Sequence, residues 1–496
     1  MRKDPVSELP REIYSVASVR ALDRAAIDAG TSGYALMTRA AHAALTEILA
    51  RFPAASRWQI ICGGGNNAGD GYVLARIAAD KGIAVSVLSL VAADSLTGDA
   101  MTAYDDFLAS GGQLALWQGE LDSEADLLVD SLLGSGLMRA VAGDFADAVR
   151  AMNEHAAPVC ALDIPTGING DSGAVMGVAV RASLTVTFVG LKGGLFLGEG
   201  PHYVGDLCFA DLDIPAECRA GIAADLCRIN STMLRHALPR RAREAHKGDF
   251  GHVVLIGGGP GMPGAVRLAG EGALRAGAGR VSIATHPSHA ASMASGRPEL
   301  MCHAVENAQD LDRLLTETSI VALGPGLGQS DWAIELFEAV VDRPLSLVLD
   351  ADALNLLAER EQRREDWILT PHPGEAARLL GETSAAIQAD RRLALKQLEA
   401  RYGGSVVLKG AGTLISAGND PAWLCTAGNP GMAAAGMGDV LTGIIAAMWA
   451  QGLTQVEAAA LGVEIHARAG DAAALAGERG MLASDLCEEL QTCVNP

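Results

Sequence analysis

The sequence predicts an α/β protein made of two domains of parallel βα units. Three observations carry this reading. Short Val/Ile/Leu runs end repeatedly in glycine before an Ala-rich amphipathic stretch, the rhythm of strand, turn and helix in a parallel sheet. The pattern lapses near residue 225 and restarts near 250. With 496 residues, the chain is long enough for two or more units that each bury a core.

In the first half the apolar runs predict strands at 58–62, 84–90, 126–133, 158–163 and 184–189, with helices at about 70–82, 98–110 and 143–155 between them. Two helical stretches, about 17–29 and 34–51, precede them. In the second half strands are expected at 252–256, 280–285, 320–323, 345–349, 367–369 and 405–408. The stretch 228–250 holds the basic cluster Arg240-Arg241-Ala242-Arg243 and no sustained apolar period, so it reads as a linker with one short helix. Domains of 1–225 and 226–496 follow.

Composition narrows the function classes. The apolar fraction is 49% and the charged fraction 20%, ordinary globular usage that excludes a disordered chain. Lys plus Arg number 38 against 59 Asp plus Glu, a net charge of −21 that would repel a phosphate backbone, so no nucleic-acid partner is expected. An anionic ligand must then be held by local devices: backbone N–H groups, helix N-termini or a bound cation. The nine cysteines are scattered without a Cys-x-x-Cys pair, which predicts reduced thiols in a cytoplasmic protein and no zinc ribbon. No apolar run follows the basic residues of Met1-Arg2-Lys3-Asp4, and the longest apolar stretches elsewhere are interrupted by Arg181, Lys192 or Gln451, so no signal peptide and no membrane partner are expected.

Polar residues gather at the predicted strand ends. Gly63-Gly64-Gly65-Asn66-Asn67-Ala68-Gly69-Asp70-Gly71 follows an apolar strand and leads into a helix, the place where a doubly wound sheet binds phosphates. Asp130-Ser131-Leu132-Leu133-Gly134-Ser135-Gly136 and Asp163-Ile164-Pro165-Thr166-Gly167 put acids at two further strand ends. An acid inside an apolar run must be paired, hydrogen-bonded or bound to a cation. Oxygens of Asn67, Asp130 and Thr166 would suit an alkali cation. Lys192, just past the 184–189 strand, would share proton transfer with Asp163 if the two face each other, and is otherwise a solvated strand-end lysine.

Together, Gly-x-Gly-Asn-Asn-x-Gly-Asp-Gly, Asp-x-x-x-Gly-x-Gly and Asp-Ile-Pro-Thr-Gly with the Lys192 loop resemble the epimerase domain of the bifunctional NAD(P)H-hydrate repair enzymes over most of residues 10–220. The resemblance implies a Rossmann-like doubly wound sheet. It implies that Asn66, Asn67, Ala68, Gly69, Asp70, Gly134, Ser135, Gly136, Leu137, Met138, Arg139, Ala140 and Asp163 bind the hydrated dinucleotide, and that Asn67, Asp130 and Thr166 hold K+. Asp163 and Lys192 become the acid–base pair. The family's usual Gly-Pro-Gly start is Gly63-Gly64-Gly65 here, Ala68 replaces a usual glycine, and Thr38 stands where Glu commonly follows Met37. Of these Ala68 matters most, since a Cβ there would crowd a phosphate or oppose a positive φ.

In the second half, Gly257-Gly258-Gly259-Pro260-Gly261-Met262-Pro263-Gly264-Ala265 follows a strand and opens a helix whose Ala269, Gly272, Ala273 and Ala276 form a close-packing face. The stronger signal is Gly428-Asn429-Pro430-Gly431-Met432-Ala433-Ala434-Ala435-Gly436-Met437-Gly438-Asp439, followed by the apolar face Val440, Leu441, Ile444, Ile445 and Met448. It predicts a buried helix whose free N–H groups form an anion hole beside Asp439, the pairing that phosphoryl transfer to a hydroxyl needs; the alternative is an N-capping aspartate. Lys409-Gly410-Ala411-Gly412-Thr413 offers a cation and bare backbone to a nucleotide. Asp350-Ala351-Asp352 and Thr370-Pro371-His372-Pro373-Gly374-Glu375 add polar groups after other strands, while His286 and His289 read as surface residues.

In this order, with Gly324-Pro325-Gly326-Leu327-Gly328, these motifs resemble the ADP- or ATP-dependent dehydratase domain of the same family, which is ribokinase-like, over about 240–490. The resemblance implies that Lys409, Gly410, Ala411, Gly412, Thr413 and Gly438 hold the adenine nucleotide. Ala265, Gly326, His372 and Asp439 would contact the hydrated dinucleotide, with Asp439 as base, Mg²⁺ on the phosphates, ADP as co-substrate and a homo-oligomeric assembly. The rival readings are a vitamin or sugar kinase, and a catalytically silent first domain.

Overall fold

The computed structural model describes residues 9–316, 318–418 and 420–495, and the chain divides into two compact units between Leu226 and Cys227. In the first unit the main sheet comprises β1 (Arg57–Cys62), β2 (Ala84–Ser89), β3 (Leu114–Leu116), β4 (Leu127–Ser131), β5 (Val159–Leu162), β6 (Leu184–Phe188) and β7 (Asp206–Ala210). They lie in the order β3-β2-β1-β4-β5-β6-β7, and every neighbouring pair is parallel. The order reverses between β1 and β4, so the loops leaving these strands flank the switch-point crevice of a doubly wound sheet.

Side chains sort by strand alternation. Trp58, Ile60, Cys62, Leu127 and Val129 enter the core beneath the Gly33–Arg51, Asn66–Asp80 and Gly98–Ala109 helices. Ile61 and Leu128 point the other way, to Ala148, Val149 and Met152 of the Asp144–Glu154 helix. The helix expected from about residue 70 begins instead at Asn66, with Gly65 as N-cap and no side-chain cap bond. Glycine and asparagine are poor helix formers, which makes this first turn look like loop. β3 is a short edge strand with Ala115 and Leu116 exposed, and its apolar signal is correspondingly weak.

In the second unit β8 (His252–Ile256), β9 (Arg280–Thr285), β10 (Met301–Ala304), β11 (Ile320–Leu323), β12 (Leu347–Leu349), β13 (Trp367–Leu369) and β14 (Ser405–Leu408) form a parallel array in the order β10-β9-β8-β11-β12-β13-β14. β15 (Thr413–Ile415) and β16 (Ala422–Cys425) extend it antiparallel. The predicted small-residue face has a clear use. A Cβ on Gly272 would stand 2.6 Å from Val440 O, and one on Gly443 would strike Ala269 O, so the Pro263–Arg275 and Met437–Ala450 helices cross at glycine-lined contacts. The expected linker holds the Ser231–Ala237 helix and a short turn, Lys247–Phe250. Among the described residues, no helix is long and apolar enough to cross a membrane.

Candidate active sites

In the first unit the site grows from the carboxyl ends of β4, β5 and β6. Asp163 follows β5 with φ of 67°, a left-handed conformation that costs a residue with a Cβ about 1–2 kcal/mol. Lys192, in a short strand paired with Glu12–Tyr14, is 1% exposed. Its ammonium donates to Asp163 Oδ1, to Thr187 Oγ1 at 3.1 Å and to Phe188 O at 3.0 Å. The solvated-lysine alternative therefore falls, because all three N–H bonds are spent inside the protein.

Two more carboxylates feel this pair. Burial, with the negative charges of Asp163 and Asp23, pushes Asp70 well above the usual carboxylate range against the pull of Lys192. Asp23, on the Val16–Asp28 helix, is pushed up to about 6 by burial, with Lys192 lowering it and Asp163 raising it. Sequence reasoning missed Asp23; its one signal is an acid between the buried Leu22 and Ala26.

Asp130 in β4 is fully buried. Its Oδ1 accepts from Thr166 Oγ1 at 2.7 Å and Leu132 N at 3.2 Å, and its Oδ2 from Thr166 N at 2.7 Å. Burial nonetheless pushes it up to about 6, with these bonds working the other way. Asn67, 8% exposed, has neither Oδ1 nor Nδ2 satisfied within the protein. An orphaned buried amide costs about 1–3 kcal/mol, so Asn67 calls for a ligand.

The loop after β4 divides in two. A Cβ on Gly134 would lie 3.4 Å from Asn67 Cβ and 3.7 Å from Asp163 Oδ2, so Gly134 borders the site, whereas Ser135 lies against Gly170. Leu137 instead packs in the core with Val141, and Gly136, Met138, Arg139 and Ala140 are exposed. In the Asn-Asn loop Asn66 is exposed, whereas Asn67, Ala68 and Gly69 are buried. Ala68 is helical and fully buried against the core, and its φ is not positive. Its Cβ therefore does not oppose the backbone and packs into the core.

The second-unit site also sits at strand ends. Asp350 follows β12, Lys409 follows β14, and Asp439 lies in the first turn of the Met437–Ala450 helix. Lys409 Nζ donates to Asp350 Oδ1 at 2.7 Å and stands 3.8 Å from Glu375 Oε2. Burial works against its charge, but Asp350 and Glu375 outweigh that and raise its pKa. The Lys409 ammonium is thus turned into an acidic cluster, while Gly410 and Ala411 beyond it are exposed. A Cβ on Gly438 would be 3.4 Å from Lys409 Nζ, which brings the helix terminus and Lys409 together.

Asp439 is no cap. Gly436, with φ of 89°, is the N-cap, and no side chain bonds the terminus. Burial first, then the charges of Asp350, Asp352 and Glu375, push Asp439 up to about 7 against the pull of Lys409. A half-buried carboxylate that titrates near neutrality beside free helix N–H groups has the equipment of a general base facing an anion. His372 caps the Pro373–Leu380 helix: its Nδ1 accepts from Gly374 N at 2.9 Å, and its Nε2 lies 3.4 Å from Glu375 Oε1. Gly326, with φ of 59°, lies where a Cβ would approach Ala265 Cβ to 3.1 Å, so these two form one wall. His286 and His289 are partly exposed, and His289 Nε2 lies 3.0 Å from Gly259 O on the glycine loop.

Known proteins resemble this chain along its whole length. A family described as NAD(P)H-hydrate dehydratase matches residues 253–492, and one described as YjeF-related protein N-terminus matches residues 33–194. The bifunctional NAD(P)H-hydrate repair enzyme Nnr of Coxiella burnetii is 47% identical, with 98% of this chain and 99% of that protein covered. The enzyme of that name from Escherichia coli is 42% identical, covering 100% of this chain and 96% of its own. Among solved structures, a ribokinase-like superfamily protein from Enterococcus faecalis aligns with a TM-score of 0.51 at 27% identity, over 54% of this chain and 95% of its own.

Proposed function

The chain belongs to the family of bifunctional NAD(P)H-hydrate repair enzymes, and from that premise we propose which residues carry each half of the repair. The substrate is NADH or NADPH that has gained water across a ring double bond, leaving a hydroxyl at an epimeric carbon. The first unit exchanges the R and S epimers; the second removes water from the S form.

For the epimerase, Asp163 and Lys192 carry the proton transfer. The hydrogen-bonded pair at the ends of β5 and β6, with Asp70 and Asp23 near it, supports this. Asn67, Asp130 and Thr166 would hold K+, whose charge would offset that of buried Asp130 and anchor a ligand phosphate. The loop backbone at Gly134 closes over the dinucleotide.

For the dehydratase, Asp439 takes the proton of the S hydroxyl, which attacks a phosphoryl group of ADP. The attack breaks the bond between the two phosphates and releases AMP; phosphate then leaves the ring carbon and a proton leaves the neighbouring carbon, which restores the double bond. Water leaves carbon poorly and phosphate leaves well, which is why a kinase-like fold serves a dehydration. The Gly438 terminus stabilises charge on the transferred oxygens, and residues 409–413 hold the nucleotide. Mg²⁺ would neutralise the phosphates; among the described residues no group of His, Cys, Asp and Glu is arranged to hold a metal by itself, so the phosphates would supply most of its ligands. Ala265, Gly326 and His372 border the ring being repaired. The single observation that carries this half is the uncapped, half-buried Asp439 at a free helix N-terminus.

The kinase alternative is not favoured, since both halves match repair-enzyme relatives. Nine free thiols are in keeping with a reducing, cytoplasmic setting. The test supplies mixed hydrate epimers with ADP and follows near-ultraviolet dihydronicotinamide absorbance. Full recovery is expected. Recovery of the S half alone would remove the epimerase, and an accumulating phosphorylated product would favour a kinase.

A further inference from the structure

The loop 409–412 joins β14 to β15, and beneath it lies a cation that the repair chemistry leaves unused. Arg391, first residue of the Arg391–Tyr402 helix, is 5% exposed. Its Nη2 donates to Leu408 O at 3.0 Å, Lys409 O at 3.3 Å and Gly412 O at 3.2 Å. Nη1 reaches Gln388 Oε1 at 3.4 Å, and Nε finds no partner. Among the described residues no carboxylate pairs with this guanidinium, although an isolated buried charge is costly. Burial lowers its pKa only to about 10, so it stays charged at neutral pH.

The arrangement polarises the loop. Three carbonyls turn inward to one guanidinium, while the N–H groups of Gly410, Ala411 and Gly412 find no acceptor among the described residues. Gly410 has φ of 140°, and a Cβ there would collide with Arg391 Nη1, so the glycine admits the arginine and the arginine fixes the turn. From outside, the loop presents amide dipoles backed by a full positive charge, in a chain whose net charge of −21 repels anions elsewhere. Lysine cannot replace it, because a point ammonium lacks the planar fork that reaches carbonyls on both sides of a turn.

We infer that Arg391 is a positioning residue for the co-substrate: it sets the 409–412 turn with amides outward and so makes this loop a binding surface for the anionic part of an adenine nucleotide. The inference rests on the proposed reading of this loop as the nucleotide loop. Arg391 touches no reacting atom, so its loss acts on nucleotide binding and leaves the chemical step alone.

The experiment uses the full chain with R391K and R391Q, ADP as the probe and the S hydrate as substrate. KM and Kd for ADP should rise by about tenfold or more with kcat within about threefold, the pattern of lost uniform binding. Epimerisation in the same molecules should stay at the wild-type rate, which reports that the first unit is intact, and an unchanged melting transition of the second unit reports that the unit carrying Arg391 is folded. Unchanged ADP affinity in folded variants, or a fall in kcat alone, would overturn the inference. Gly412→Val separates this from failure of the underlying reading: if it too leaves ADP affinity unchanged, the loop is not the nucleotide loop. On the wild-type chain, amide exchange at 410–412 should be fast and slowed by ADP; slow exchange without ADP would also overturn the inference, whatever the variants do.

Discussion

Thr442 donates its hydroxyl proton to Asp350 Oδ2 at 2.6 Å, tying the first turns of the Met437–Ala450 helix to the end of β12. Asp350 Oδ1 takes Lys409 Nζ at 2.7 Å, so one buried carboxylate spans the start of the 409–412 loop and the helix that carries Asp439. Thr442→Val keeps the shape and deletes one bond. Loss of one charge-assisted bond is expected to cost about 1.5–3 kcal/mol, read as a lower melting temperature of the second unit and a several-fold slower dehydration. Unaltered melting and turnover would mean the tie does not matter.

Asp439 titrates at about 7, held there by burial and by Asp350, Asp352 and Glu375, with Lys409 opposing. A base must be deprotonated to act. The kcat/KM for S-hydrate dehydration should therefore rise with pH through about 7 and level off above it. A profile flat from pH 5.5 to pH 8.5 would show that no group of this kind limits the reaction.

Lys192 donates into Asp163 from a fully buried position. Lys192→Met should slow epimerisation by about 10²–10⁴-fold and leave dehydration of purified S hydrate unchanged. Epimer exchange at the wild-type rate, followed by chromatography, would exclude the pair.

Asp130 carries its proton to about pH 6 in the folded chain and to about pH 4 unfolded. The folded state thus binds more protons between these values, and stability falls as pH rises through this window, by about 3 kcal/mol if nothing compensates. Bound K+ should offset that loss. Replacing Na+ by K+ is expected to raise the first unit's melting temperature at pH 8 more than at pH 4.5. An equal effect at both pH values would place the ion elsewhere.

Ala68 is buried, helical and free of a positive φ. Ala68→Gly should lower stability by about 1 kcal/mol in chemical denaturation and leave the epimerisation rate unimproved. A faster enzyme would restore the crowding argument.

Strand content was legible because buried parallel strands read as unbroken apolar runs: His252–Ile256, Arg280–Thr285 and Ile320–Leu323 fall where the runs predict. Edge elements such as Leu114–Leu116 and Met301–Ala304 were not, because half-exposed strands need few apolar residues. Motifs marked the polar strand ends, but pairing across space stayed hidden. No spacing rule brings Asp350 to Thr442, Asp23 toward Lys192 or Arg391 under Gly410. Those relations arise only when separate βα units lie side by side in one sheet.

The most direct measurement is Asp439→Asn in the full chain, assayed for ADP binding, epimer exchange and dehydration of the S hydrate. Dehydration is expected to fall by about 10²–10⁴-fold while ADP still binds and epimers still exchange. Near-normal dehydration by this variant would contradict the assignment of Asp439 as the base.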